Sequence, residues 1–166
     1  MPASTARIFP DYASALLIAY EEEVSGEGYF EGLADQFTGR PREALLLMAR
    51  VERVTASALR QLIVNHGLSP EAEAVLLARG RAQAEMQRGI TWESLIASMA
   101  EDYPVFMEEF GQLSQLAPET ERERTLMASE HELALIAFAQ REVSGDPGSL
   151  TTLEQFLSRH DEPRRN

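Results

Sequence analysis

The chain has 166 residues, 44% of them apolar, which is enough to bury one core in a single domain over 1–166. It contains no cysteine, and all 15 of its basic residues are arginine, so disulfides, thiolate and iron–sulfur sites and lysine Schiff-base chemistry are excluded. With 27 acidic residues the formal net charge is −12, which repels phosphate backbones and anionic lipid.

Helix breakers divide the chain, and no region alternates apolar and polar residues as a half-buried strand would, so the expectation is an all-α protein. The first helix runs from an N-cap at Asp11 to about Phe37, with Gly26, Gly28 and Gly32 inside it. Each costs about 1 kcal/mol relative to alanine in a helix, so three of them point to close packing, a bend or a break. The second opens with Pro41 in its first turn and stops at Gly67. A shorter third helix takes Ser69 as N-cap and Pro70 in its first turn, and ends at Gly89. Within it Arg79, Arg81 and Arg88 are too diluted by acidic and neutral neighbours to attract nucleic acid. The fourth runs from Thr91 to about Ala117 with a kink at Pro104, and the fifth from Pro118 to Gly145. A short sixth, "SLTTLEQFLSRH", precedes the tail, where His160 is expected to be frayed.

Four of these segments have matched lengths of about 25 residues, or roughly 35 to 40 Å, which favours an antiparallel four-helix bundle with its core over 11–144. First to second and fourth to fifth are short connections and form hairpins, while an extra helix lies in the long crossover between the pairs. The C-terminal helix and tail occupy 149–166. No apolar stretch is long enough to span a bilayer, and "MPASTARIFPDY" lacks the basic-then-apolar layout of a secretory signal. A cytoplasmic protein that engages neither membrane nor nucleic acid is expected.

Helical periodicity then selects the polar residues that face inward. The buried stripe of the first helix reads Leu16, Tyr20, Glu23, Glu27, Phe30, Ala34, Phe37. That of the second reads Leu45, Met48, Glu52, Thr55, Leu59, Leu62. On the fourth, Asp102 and Glu109 flank an aromatic stripe, and on the fifth Met127, His131, Ala134 or Leu135 and Phe138 share a face. A carboxylate in a dry core needs a cation, a hydrogen-bond network or a shifted pKa. Carboxylates with one imidazole and no sulfur favour iron or manganese over structural zinc. His66, beside Gly67, suits the C-terminal end of the second helix as a cap.

On helix order, the spacing of Glu22 to Tyr29 and Glu23 to Phe30, Glu52, and "SEHELALIAFAQRE", the chain resembles the ferritin-like superfamily of di-iron carboxylate proteins. The resemblance implies a ferritin-like antiparallel four-helix bundle holding iron, with manganese as the alternative, that oxidises a small organic substrate. It places the ligands at Glu23 or Glu27, Glu52 and His131, with Glu130, Asp102 or Glu109 as additions and Tyr20 or Tyr29 tuning the site. The family motif pairs Glu-x-x-His on two helices. Here Thr55 stands where Glu52 should have its histidine, and Ala128 stands where His131 should have its glutamate. The departure leaves room for a mononuclear site, or for a metal-free bundle that serves as a binding or oligomeric scaffold. A homodimer is expected, through an exposed apolar face on the third or sixth helix.

Overall fold

The computed structural model describes residues 6–160 and is all-helical, with no strand among the described residues. Seven α-helices follow one another: α1 (Tyr12–Ala34), α2 (Gly39–Asn65), α3 (Glu73–Met86), α4 (Trp92–Asp102), α5 (Pro104–Leu116), α6 (Arg122–Val143) and α7 (Thr151–His160), with a 3-10 turn over Glu119–Glu121 ahead of α6. No helix among the described residues is long and apolar enough to cross a membrane.

The punctuation follows local chemistry. Asp11 caps α1 by accepting a hydrogen bond from the Ser14 backbone N–H at 2.8 Å. Gly67, Gly89 and Gly145 end α2, α3 and α6 with φ of 61°, 88° and 75°. The expected kink is a full break: Tyr103 both closes α4 and opens α5, because Pro104 has no N–H with which to continue the ladder. Ser69 does not cap α3, which starts at Glu73. The Glu71 backbone N–H instead donates to the Glu21 carboxylate at 2.8 Å, drawing this segment onto α1. Likewise α1 stops at Ala34, whose carbonyl accepts from the Arg42 guanidinium at 2.6 Å.

The three glycines of α1 do not break it: the helix runs continuously from Tyr12 to Ala34. A Cβ on Gly28 would lie 2.3 Å from the Leu77 carbonyl oxygen, and one on Gly80 would lie 1.9 Å from that of Ser25. The backbones of α1 and α3 therefore meet directly, and α3 is a packed partner of α1 as well as a crossover. Around the interior α1 touches α2 and α5, while α6 touches α2, α4 and α5. Helix α7 lies on α6 and α2 with Leu153, Phe156 and Leu157 buried, so it presents no free apolar face.

The apolar interior falls into two clusters. One gathers Leu33, Leu45, Met48, Ile96, Met99 and Phe138 with the buried face of α7. The other gathers Leu16, Tyr20, Leu59, Leu62, Phe110 and Leu113. Near where the two meet, α1, α2 and α6 carry buried polar side chains: Glu23 and Ser25, then Glu52 and Thr55, then His131 and Glu132. Tyr103, at the break between α4 and α5, lines the same cleft as Glu23, Glu52, His131 and Glu132. A polar stratum thus lies between the two apolar clusters.

Candidate metal centre

His131 sits at the middle of this stratum, 1% exposed, with the Phe110 ring edge-on at 5.1 Å. Its Nδ1 lies 2.5 Å from the Ala128 carbonyl oxygen one turn back. A carbonyl can only accept, so Nδ1 carries the hydrogen and the neutral ring holds its lone pair on Nε2. That nitrogen faces carboxylates on every side: Glu23 Oε2 at 3.3 Å, Glu132 Oε2 at 3.6 Å and Glu52 Oε2 at 3.8 Å. Lone pairs that converge in a dry space repel unless a proton or a cation lies among them.

Burial pushes the His131 pKa down to about 4, so an imidazolium does not supply that positive charge near neutral pH. The acids shift the other way. Burial, reinforced by Glu52 and Glu132, raises Glu23 well above the carboxylate range. Burial lifts Glu52 to about 8, against a hydrogen bond with Glu23 that lowers it. Glu132 is likewise raised by burial and by the charges of Glu52 and Glu22. Two oxygens, Glu23 Oε2 and Glu132 Oε1, have no hydrogen-bond partner.

Local sequence choices make the arrangement possible. Gly26 lies across from Glu52, and a Cβ there would come within 2.8 Å of Glu52 Oε2, so the glycine makes room for the carboxylate. Thr55 turns its hydroxyl back to the Val51 carbonyl at 3.0 Å and stays out of the cluster. Ala128, which has no carboxylate to offer, contributes its backbone carbonyl to His131.

Three of the expected ligands therefore come together: one donor atom from each of Glu23, Glu52 and His131 lies within 4.8 Å of the others. The other candidates are engaged elsewhere. Glu27 pairs with Arg53 at 2.6 Å and Glu130 with His160 at 2.8 Å. Asp102 accepts from the Ser98 hydroxyl at 2.8 Å. Glu109 is buried, yet both its oxygens serve Arg7, whose backbone N–H and Nε donate at 2.8 and 3.0 Å. Tyr20 donates to Glu73 and Tyr29 to Gln87, at 2.9 and 2.8 Å. His66 is the C-cap residue of α2 and pairs with Glu121 at 2.9 Å. His160 is the last residue of α7, ordered by Glu130 and by the Phe156 ring at 4.8 Å; the tail that follows lies outside the described residues.

Glu132 is the member that sequence reasoning missed, whereas Tyr103 belongs to the aromatic stripe read for the fourth helix. Glu132 lies on the stripe Ala128, Glu132, Leu135, Ala139, each buried, one position round from the His131 stripe. Tyr103 is raised well above the usual tyrosine range by burial, then by Tyr29, Glu132 and Glu52. A cleft of about 790 Å³ connects the stratum to the surface, lined by Tyr29, Tyr103, Phe106 and Phe110 among others. No family model, curated protein or solved structure matches this chain.

Proposed function

We propose that the chain is a ferritin-like metal-carboxylate protein whose Glu23, Glu52 and His131 hold one iron or manganese ion, and that it is an oxidoreductase for a small organic molecule. The observation that carries this reading is the lone pair of His131 Nε2 turned toward buried, unpartnered carboxylate oxygen. Ligands about 2.1 Å from a shared ion stand about 3.0 to 3.4 Å apart at octahedral or tetrahedral angles, close to the 3.3 and 3.8 Å found. The set suits one ion better than two, since a single imidazole is present and Thr55 takes no part.

When bound, such an ion supplies redox chemistry with dioxygen or peroxide. The residues do the rest. Ala128 fixes the imidazole tautomer, as outer partners of metal-bound histidines generally do. The two apolar clusters exclude water above and below, and the cleft admits a substrate from one side.

A metal-free scaffold is the second reading, and one observation favours it: Glu23 and Glu52 are close enough to share a proton. Elemental analysis of protein from iron- and manganese-supplemented cells separates the two. About one equivalent per chain is expected, falling in Glu52→Gln and unchanged in Glu130→Gln; less than about a tenth of an equivalent sinks the metal reading.

A further inference from the structure

The segment ahead of α1, residues 6–9, belongs to no helix, yet it is fastened along α5. The Arg7 backbone N–H and Nε donate to the Glu109 carboxylate at 2.8 and 3.0 Å. Two residues on, the Gln112 amide clasps the backbone of the segment, accepting from the Phe9 N–H at 3.1 Å and donating to the Arg7 carbonyl at 2.7 Å. The Arg7 guanidinium then crosses to α1, where it pairs with Glu22 at 2.6 Å. Arg7 lines the cleft, Glu22 precedes the proposed ligand Glu23, and Glu109 precedes Phe110, the ring edge-on to His131. One side chain therefore bridges the α1 and α5 walls of the cleft, beside the residues at its floor. The fastening is of a kind that opens. Ile8 is 89% exposed and adds nothing to it by burial, and Phe9, half-buried against the cluster that contains Leu16 and Phe110, is its one apolar peg. Arg7 and Glu22 are each 44% exposed, and ion pairs so open to water are weak. Segments with few buried apolar contacts open locally at far less cost than the whole fold.

We infer that residues 6–9 are a strap that gates the cleft, with Arg7 as the bar across it and Glu109 and Gln112 as the catch. Release of the strap admits molecules to the polar stratum while the helices stay packed. The inference concerns access alone and holds whether or not the centre takes an ion.

The absence of cysteine makes access measurable. In the full chain, Ser25→Cys places a sole thiol on the cleft lining at a position 8% exposed, and its alkylation is followed with iodoacetamide, an uncharged reagent. Arg7→Ala in that background is expected to speed alkylation about tenfold, and Gln112→Ala severalfold. Removing the Arg7 charge by itself raises the pKa of a nearby thiol and slows its reaction, so a faster reaction reports opening. Exchange of the Ala139 amide, on the buried face of α6 in the other apolar cluster, is measured on the same proteins as a gauge of whole-fold opening and is expected to change by less than about twofold. Gln112→Ala leaves no buried charge unpaired and decides the matter where Arg7→Ala does not fold. Phe106→Cys, at a half-buried lining position, takes the place of Ser25→Cys in the same event. An unchanged alkylation rate in either variant overturns the proposal. So does an acceleration matched by equally faster exchange at Ala139, which is general loosening of the fold.

Discussion

His131 and its three acids respond to pH in opposite directions. A carboxyl raised to about 8 by burial, as Glu52 is, contributes stability that is complete below its ordinary value near 4.5 and is lost as pH climbs through 8. Glu23 and Glu132 are raised as well and act with the same sign. His131, lowered to about 4, contributes stability that is present above 6.5 and is lost as pH falls through 4. The effects oppose one another between about 4.5 and 6.5, and only the acids act from there to 8. Metal-free protein is therefore expected to lose stability, on the order of a few kcal/mol, between pH 6.5 and 8, as followed by chemical denaturation. Glu52→Gln removes its share of that slope; a flat profile in the parent protein overturns the account. Much of this site was legible residue by residue. A glutamate between Met48 and Leu59 and a histidine in register with Met127 and Phe138 announce themselves by periodicity. Glu27 and Glu130 share their neighbours' spacing but are claimed by Arg53 and His160, pairings between distant helices that no single helix pattern encodes.

Among the elements, α1 and α3 depend most on the absence of side chains. Gly80→Ala drives a methyl into the Ser25 carbonyl oxygen at 1.9 Å, and neither backbone can yield without separating the helices. A loss of about 3 kcal/mol or more is expected from urea melts. Gly111 is the matched control. It is interior to α5 with nothing within 4 Å of its added Cβ, so Gly111→Ala is expected to stabilise by about 0.5–1 kcal/mol. If the two substitutions cost the same, the close crossing of α1 and α3 is wrong. Helix existence was readable throughout from proline, glycine and capping residues. The start of α3 was not, because "SPEA" has the form of a capped first turn, while the Glu71 backbone N–H is taken by Glu21 across from α1. Nor did the glycines of α1 name their partner, since close packing, a bend and a break leave the same mark on one strand of sequence.

For the molecule as a whole, an ion held by the proposed centre would couple its binding to folding. A ligand that binds only the folded chain stabilises it by about 2.7 kcal/mol at a hundredfold excess over its Kd. Manganese(II) is therefore expected to raise the melting temperature by about 5–10 °C, and not to do so in Glu52→Gln. A rise of equal size in the variant would place the ion elsewhere on this acidic surface. All-helical architecture was visible at this scale from the sequence, as was an inward polar set. The division of the interior was not, because it appears only when the polar positions of α1, α2 and α6 are brought together from separate helices.

That division makes the molecule resemble laminated timber, two oily boards joined by a glue line of acids. Helix backbones run through the joint, and the buried apolar side chains gather into a separate cluster on either side of it. Whatever fills the joint, a shared proton or an ion, sets whether the ends melt as a single piece. Amides near Leu45 and near Leu62 on the same helix should then exchange at matched rates with the joint filled and at separate rates with it stripped.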